Sequence, residues 1–456
     1  MNLSLLQSLP ENVQQSNELI ASLDAIFSDG FARLESEHLD ALSSLNHAFA
    51  ATPLASNLTA VITAVSQSEF LENHFLLLAA ARAALQGAQH DALLAQACQA
   101  LGRTVPELIP VPDLPSQAPS GQLELWCESI RHWLMELVLA GFTNLEVESV
   151  LAFQATLADI QAEPRMVRHA ALLNGLIAEI LQYFPTKGVP EIPLFRWVDL
   201  WSRAFVLAAQ PPEAQPAIPI SGEFYPLGAH LRQSDVVVNL VIFGWLEGEE
   251  GGMLLRTNLS AFRVDVITGI ELKSLFDEIG ATLLTALAEQ KSIFIEEILL
   301  QNTGDMLWQE KNVKLGKSID LAALASRLHS EPPVSRWTQR AEDRHPALIH
   351  EFVYLEHYRI ENEAIYWGEL AFPLALERIA DSPDMPLADL TKGASMIALL
   401  CFDAGCWSLQ PLSVLSKGKK KGAVQTQGIF VQPKGKKAKS TLPQLRERAS
   451  RLLRKK

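Results

Sequence analysis

Cysteine is scarce in this chain, with only four among 456 residues. Cys98, Cys127 and Cys401 lie among apolar neighbours, which is typical of buried, reduced thiols. The one close spacing, Cys401 to Cys406, lacks the second cysteine pair or nearby histidine that a zinc site needs. These cysteines favour core or strand positions in a reducing compartment.

Long apolar runs are also absent. His74 to Leu85 is among the most apolar stretches, and Arg82 interrupts it well short of the ~20 residues that a membrane span needs. The first residues have neither the basic region nor the long apolar region of a secretory signal. We therefore expect no membrane span and a cytoplasmic location.

The motifs that would name a reaction are incomplete or missing. Gly316-Lys317-Ser318 resembles the end of a phosphate-binding loop, but the first glycine of that loop would fall at Lys311, so a surface turn is predicted. His350-Glu351 begins a metalloprotease-like HExxH sequence, yet Tyr354 stands where the second histidine is required. GxSxG and GxGxxG are both absent. The sequence predicts no cofactor and no metal site.

One histidine-rich region is the first candidate for an active site. It contains His345, His350 and His357, with Glu351 and Glu356 beside them. As a strand, this segment would place His350 and Glu356 on one face and Glu351 and His357 on the other. The two interpretations are an acid/base or metal site and solvent-facing polar positions on a half-buried strand.

The chain does have the pattern of a folded, largely helical first half. Its composition, 48% hydrophobic and 20% charged, indicates a folded chain of several domains. Apolar residues recur three and four positions apart in residues 1–102 and 122–210, which predicts helical domains. A proline-rich linker at 103–121 joins them. No repeat with a period of 20 to 50 residues is found.

Two local patterns support the helical prediction. One apolar stripe consists of Leu34, His38, Leu42, Leu45 and Phe49. Trp197 and Trp201, four positions apart, are predicted to pack in a core or an interface.

The character of the chain changes near residue 221. Three runs rich in β-branched and aromatic residues, at 223–232, 236–246 and 253–266, predict an antiparallel meander. Helical spacing follows at 271–290, and Asp320 is predicted to cap a later helix.

The predicted fold class is therefore α+β and multidomain. It comprises an all-α N-terminal half, an α+β domain with an antiparallel sheet at 221–415, and a basic flexible tail at 416–456.

The net charge of −14 conceals two opposed parts. Residues 417–456 contain ten lysines, four arginines and one glutamate, a formal charge of +13. Residues 1–416 therefore carry −27. The total taken alone argues against a nucleic-acid binder, whereas the partition makes the tail a candidate for binding an acidic partner.

The basic side chains of the tail are the candidate contacts for a protein partner or nucleic acid. They are Lys417, Lys419, Lys420, Lys421, Lys434, Lys436, Lys437, Lys439, Arg446, Arg448, Arg451, Arg454, Lys455 and Lys456. From Pro443 the apolar spacing predicts a basic amphipathic helix, which can bind an acidic groove, nucleic acid or an anionic membrane. A solvated, disordered tail is the remaining alternative.

Three segments carry a family resemblance: FRWVDLWSRA at Phe195–Ala204, YPLGAHLR at Tyr225–Arg232 and LLRTNLSAFRVDV at Leu254–Val266. They resemble bacterial proteins encoded in operons with a MoxR-type AAA+ ATPase, a von Willebrand A domain protein and a SWIM zinc-finger protein. The resemblance implies an accessory component of an ATPase-based system in bacterial stress response or conflict. The SWIM zinc ligands and the ATPase phosphate loop are absent here, so those two roles do not carry over.

Three hypotheses of function follow. The preferred one is a non-enzymatic scaffold or adaptor whose tail binds a protein partner, with an AAA+ ATPase or a von Willebrand A protein implied by the resemblance. The second is a nucleic-acid-associated protein that binds through the tail. The third is an enzyme whose site is assembled from distant residues, with His345, His350, Glu351 and His357 as first candidates.

Overall fold

Helices fill the first half of the chain, as the apolar spacing predicts. The computed structural model describes residues 2–105, 121–187, 192–210, 217–233, 237–248, 251–262, 275–301, 303–330, 334–335, 344–375, 393–403, 405–416 and 423–425. The α-helices of this half are α1 Glu11–Asp29, α2 Ser36–Ala48, α3 Ala55–Ser66, α4 Glu72–Leu101, α5 Gln122–Ala140, α6 Val147–Leu151, α7 Gln154–Gln161, α8 Val167–Gln182 and α9 Leu194–Ala208.

One hydrophobic core unites helices from both sides of the predicted linker. The stripe on α2 is buried at His38, Leu42 and Leu45. Trp197 and Trp201 of α9 are fully buried, which confirms the prediction that they pack in a core. No described helix has both the length and the apolar character needed to cross a membrane.

The helical half contains an internal duplication. The helices α1 to α4 and α5 to α8 follow a similar order: a long helix that ends at a glycine, a 3-10 turn and three further helices, with a second 3-10 turn, Pro164–Met166, before α8. The joint reads GFARLE from Gly30 in the first unit and GFTNLE from Gly141 in the second. Both glycines have a positive φ, +93° and +86°, which favours glycine over other residues. The shared GFxxLE sequence is the signal that could have revealed this repeat.

The two units meet through reciprocal contacts at these joints. Arg33 Nη1 donates a hydrogen bond to the carbonyl of Ala140 at 3.2 Å. Asn144 Nδ2, at the position equivalent to Arg33, donates to the carbonyl of Asp29 at 3.4 Å. Such exchanged contacts between equivalent positions are those of a two-fold interface.

Five strands of the second half close into a ring. They are β1 Ala217–Gln233, β2 Val237–Gly248, β3 Gly251–Phe262, β4 Lys291–Gln301 and β5 Asp305–Leu307. The meander predicted from sequence is present as β1–β2–β3, with antiparallel pairing throughout. Pairing between strands far apart in the chain closes the ring: β4 pairs with β1 and with β5, and β5 pairs in parallel with β3.

A helix packs against the apolar side chains that face the inside of this ring. The helix α10 (Ala281–Glu289) lies between β3 and β4 in the chain, and its Leu283 and Leu287 pack with Phe224, Leu240 and Ile293 of the strands. The architecture is similar to the five-stranded Greek-key barrels called OB folds. We refer to it as the barrel.

Two of the remaining strands pair with strands of the barrel, and the others form two smaller sheets. The elements after the barrel are β6 Val313–Ser318, α11 Leu321–Ser330, β7 Val334–Ser335, β8 His350–Glu356, β9 Arg359–Glu361, β10 Ala364–Trp367, β11 Leu370–Pro373, β12 Gly393–Asp403, β13 Cys406–Ser416 and β14 Ala423–Gln425. The second sheet has the order β14–β13–β12–β8, and a three-stranded sheet has the order β11–β10–β9. This confirms the α+β class with antiparallel strands.

The second sheet packs against both the barrel and the helical half. Phe352 and Leu399 of the second sheet contact the outer barrel face at Phe243, together with α11. A further core joins the second sheet to Leu93 and Leu101 of α4. The 30-residue helix α4 therefore contributes to two cores, with Leu78 of its first half in the helical core.

Two local predictions differ from the structure. Of the helix predicted at 271–290, residues 271–274 lie outside the described part of the chain, and α10 begins at Ala281 after turn residues at 275–280. At Gly280 the chain lies close to the barrel wall, where a Cβ would be 2.2 Å from Leu259 Cδ1. Gly316 lies within strand β6 and not in a surface turn. The missing side chain of Gly316 lets β6 approach Ser292 of β4, whose Oγ would be 2.2 Å from a Cβ.

One helix cap is as predicted. The carboxylate of Asp320 accepts a hydrogen bond from the backbone N–H of Ala323 at 3.1 Å, at the start of α11.

Candidate functional site

The histidine-rich region forms a short loop and strand β8. His345 precedes the strand and lies beside Asp199 of α9, with 3.3 Å between Nε2 and Oδ1. His350 is only 5% exposed, between the barrel and the second sheet. His357 follows the strand with a φ of +57°. The structure therefore places these three histidines in different surroundings.

Glu351 points away from His350 and pairs with Arg103. Arg103 Nη1 lies 2.5 Å from the Glu351 carboxylate, and the two side chains are 8% and 13% exposed. The prediction of solvent-facing positions is therefore wrong for His350 and Glu351, because the barrel and Arg103 cover them. Among the residues that the structure describes, no group of three or more His, Cys, Asp or Glu side chains could hold a metal ion.

A buried ion network lies where the helical half meets the histidine-rich loop. The guanidinium of Arg82, on α4, is fully buried and binds Asp24 of α1 through two hydrogen bonds of 2.7 and 2.8 Å. Its Nη1 also lies 3.3 Å from Asp199. Bidentate pairing of this kind stabilises a charge that would be costly to bury alone.

Two further side chains extend this network to the loop before β8. Gln86 Nε2 donates a hydrogen bond to Asp199 at 2.8 Å and lies 3.0 Å from His345 Nε2. His345 Nδ1 accepts a hydrogen bond from the backbone of Ala347. The network therefore links three helices to the segment that leads into the second sheet.

The two carboxylates of the network differ in their protonation. Burial raises the pKa of Asp24 from 3.8 to about 6, because the opposing effect of Arg82 is smaller. Burial also acts to raise the pKa of Asp199, but His345, Arg82 and Arg203 together hold it well below its usual range. One guanidinium shared by two buried carboxylates thus leaves Asp24 the more readily protonated of the two.

Protonation of Asp24 should make the stability of the fold depend on pH. Because its pKa is higher in the folded state, the folded protein retains this proton as the unfolded chain loses it. The stabilisation that the protonated Asp24 carboxyl group provides is therefore fully present below pH 3.8. It falls by about 3 kcal/mol as the pH rises to about 6. Asp199 acts in the opposite direction and at lower pH.

Urea unfolding of the native protein and of Asp24→Asn at several pH values between 4 and 7 measures this contribution. As the pH rises across that window, the native protein should lose unfolding free energy relative to Asp24→Asn, because only the native protein has the Asp24 carboxyl group. A difference that does not change with pH would contradict the assignment.

A cavity lined by both polar and apolar side chains lies between the barrel and the second sheet. Its volume is about 580 Å³, within the range of small-molecule sites. We call it the interlayer pocket. Its polar and aromatic lining residues are His230, Phe243, Arg256, Asn258, Gln301, Asp305, Trp308, Gln309 and His350, and its apolar ones are Val241, Met306, Leu307 and Leu348. Only His350 was a candidate from sequence, because the others come from separate strands with no shared motif.

The charged groups of the interlayer pocket are paired with each other. Arg256 Nη2 and the Asp305 carboxylate are 2.8 Å apart, and Thr303 also donates to Asp305. Neighbouring β3 and β5 hold this pair, because Arg256 and Asp305 are register partners. The indole N–H of Trp308 donates to Glu310 at 3.0 Å, and Glu310 in turn accepts from Thr282.

Two buried imidazoles flank the ring of Phe243. The ring of His230 is 5.2 Å from it and that of His350 is 6.1 Å from it, measured between centroids. His350 Nδ1 lies 2.9 Å from the carbonyl of Leu348, which assigns the proton to Nδ1 and makes Nε2 an acceptor. His230 Nδ1 contacts the side-chain amide of Gln410.

The basic residues predicted to bind a partner, from Lys417 to Lys421 and from Lys434 to Lys456, lie outside the described residues. Between them, the backbone of β14 pairs with β13. No protein family, curated protein or solved structure was found to match the chain.

Proposed function

We propose that the protein is a non-enzymatic adaptor, an acidic folded body that engages a protein partner through its basic tail. The observation that carries the proposal is the partition of charge, with −27 on residues 1–416 and +13 on residues 417–456. Opposed charges of this size favour association with an acidic partner surface and keep the body itself apart from other anionic surfaces.

The architecture of the body supports an adaptor. The duplicated helical units and the second sheet share helix α4, and the Arg82 network joins the helices to the loop before β8. A body united in this way holds its surfaces at fixed relative positions, which is what an adaptor requires. Repeated helical units are a common basis of binding scaffolds.

The family resemblance suggests the class of partner. It favours an AAA+ ATPase of the MoxR type or a von Willebrand A domain protein from the same genome. An acidic surface on that partner would supply the complement to the fourteen basic side chains of the tail.

Nucleic acid is the second candidate partner, and the fourteen basic side chains of the tail are the observation that favours it. The barrel resembles OB folds, a class of barrel that includes oligonucleotide-binding proteins. The outer face of β2 and β3, where such barrels bind oligonucleotides, is covered here at Phe243 and Leu254 by α11 and the second sheet. Binding would therefore depend on the tail.

Neutralising the tail should weaken partner binding. We expect a variant with all fourteen basic residues replaced by glutamine to bind the partner ATPase or von Willebrand A protein at least about tenfold more weakly than the native chain, because electrostatic attraction is lost. The matched control exchanges Lys for Arg and Arg for Lys at the same positions, which preserves the charge. Sedimentation or biolayer interferometry at 50 and 300 mM salt provides the measurement.

Equal binding by the glutamine variant and the native chain would refute the adaptor proposal, as would the lack of a complex with either partner class. A strongly salt-dependent shift of DNA or RNA by the native chain, lost in the glutamine variant, would instead establish the second candidate.

A further inference from the structure

The interlayer pocket has the properties of a prepared binding site. Two of its polar groups are held by a second group behind them: Asp305 by Thr303, and Trp308 by Glu310. His350 is held by a backbone carbonyl. Side chains fixed before a ligand arrives lose little entropy on binding, which is how preorganised sites gain affinity.

The charge of the pocket favours an uncharged ligand. The guanidinium of Arg256 already donates two hydrogen bonds to the carboxylate of Asp305. A phosphate or carboxylate ligand would have to displace Asp305 or lie against it, and either costs free energy. A neutral ligand can use both partners without separating them.

The hydrogen-bonding groups fit hydroxyls. Asn258, Gln301 and Gln309 line the pocket, and each side-chain amide offers donors and an acceptor. A sugar hydroxyl also donates and accepts, so several neighbouring hydroxyls can be satisfied at once. Asn258 and Gln309 are exposed and Gln301 is half-buried, so a ligand can reach all three.

The aromatic groups favour a sugar over a nucleobase. A base is usually held by stacking against aromatic faces. Among the described lining residues, Phe243, His230 and His350 are almost fully buried against each other, and the half-buried Trp308 is the aromatic side chain that a ligand can reach. One aromatic surface is sufficient to pack against the C–H face of a sugar ring.

From these observations we propose that the interlayer pocket binds an uncharged mono- or disaccharide, with Asn258, Gln301 and Gln309 bonding its hydroxyls and Trp308 packing against its ring. None of the described residues that line this site belongs to the tail, so the proposed ligand is distinct from the adaptor's protein partner. The adaptor would then carry a sugar sensor or anchor in its body.

The test is calorimetric titration and saturation-transfer NMR of the full chain with neutral sugars: glucose, galactose, N-acetylglucosamine, maltose and cellobiose. Adenosine, uridine, glucose 6-phosphate and glucuronate form the comparison arms. We expect saturable binding of at least one neutral sugar and weaker binding of its charged analogues. Asn258→Ala and Gln301→Ala should each weaken binding by about tenfold, since each removes hydrogen bonds to the ligand.

The matched control is Gln154→Ala, which removes an exposed amide on α7, outside the pocket. This variant should bind as the native chain does. Circular dichroism and thermal melting of all variants separate lost binding from lost folding. The proposal is overturned if none of the neutral sugars binds, if nucleosides bind and sugars do not, or if the folded pocket variants bind with native affinity.

Discussion

Replacing Arg82 with methionine is expected to lower the free energy of unfolding by about 3–5 kcal/mol. The guanidinium is fully buried and is the shared partner of Asp24 and Asp199. Methionine is similar in length but has no charge, so two carboxylates would be left close together inside the protein. Urea denaturation at pH 7 measures the loss.

The matched control is Arg196→Met. Arg196 pairs with Glu179, but its own side chain is 66% exposed, so this variant should lose less than about 1 kcal/mol. If Arg82→Met loses no more than the control, the network does not hold the helices together. Raising the pH from 5 to 8 should deepen the defect of Arg82→Met, because Asp24 then ionises without its partner.

Alanine at Gly141 is expected to destabilise the fold by about 4 kcal/mol or more. Its φ of +86° is unfavourable for alanine, and its Cβ would lie 2.4 Å from the carbonyl carbon of Asp29. Because that neighbour is backbone, the two helical units would have to separate. Gly30→Ala should behave in the same way, since its Cβ would lie 2.6 Å from the backbone nitrogen of Gly141.

The control for this prediction is Gly368→Ala in the turn between β10 and β11. Gly368 also has a positive φ, +64°, but a Cβ there would have open space, with no described atom beyond its chain neighbours within 4 Å. Its substitution should cost roughly 1–2 kcal/mol from backbone strain alone. Similar losses at Gly141 and Gly368 would show that the close contact of the two units adds nothing.

Much of the local structure could be predicted from the sequence. The stripe on α2, the cap at Asp320 and the three strands of the meander all follow from spacing and turn residues. The start of α10 at Ala281 could not, because the helical spacing extends over residues 275–280, which form turns beside the barrel wall. The duplication around Gly30 and Gly141 was not predicted because its period is longer than that of common repeats.

The candidate site was much less predictable. Of the side chains in the interlayer pocket, the sequence singled out His350 but not Arg256, Asp305 or Asn258. Each of these residues lies in an ordinary strand pattern, and their proximity results from pairing between β3 and β5 and from the second sheet. Nothing in the local sequence records which strands will become neighbours.

The sequence by itself determined the helical half, the α+β second half and the division of charge between body and tail. These features depend on composition and on residues close together in the chain, where helix and strand periods act. Only the tertiary structure decided that five strands close into a barrel, that α4 contributes to two cores and that Arg82 meets Asp24 and Asp199. Those contacts join residues far apart in the chain, and packing selects them from many that local patterns would allow.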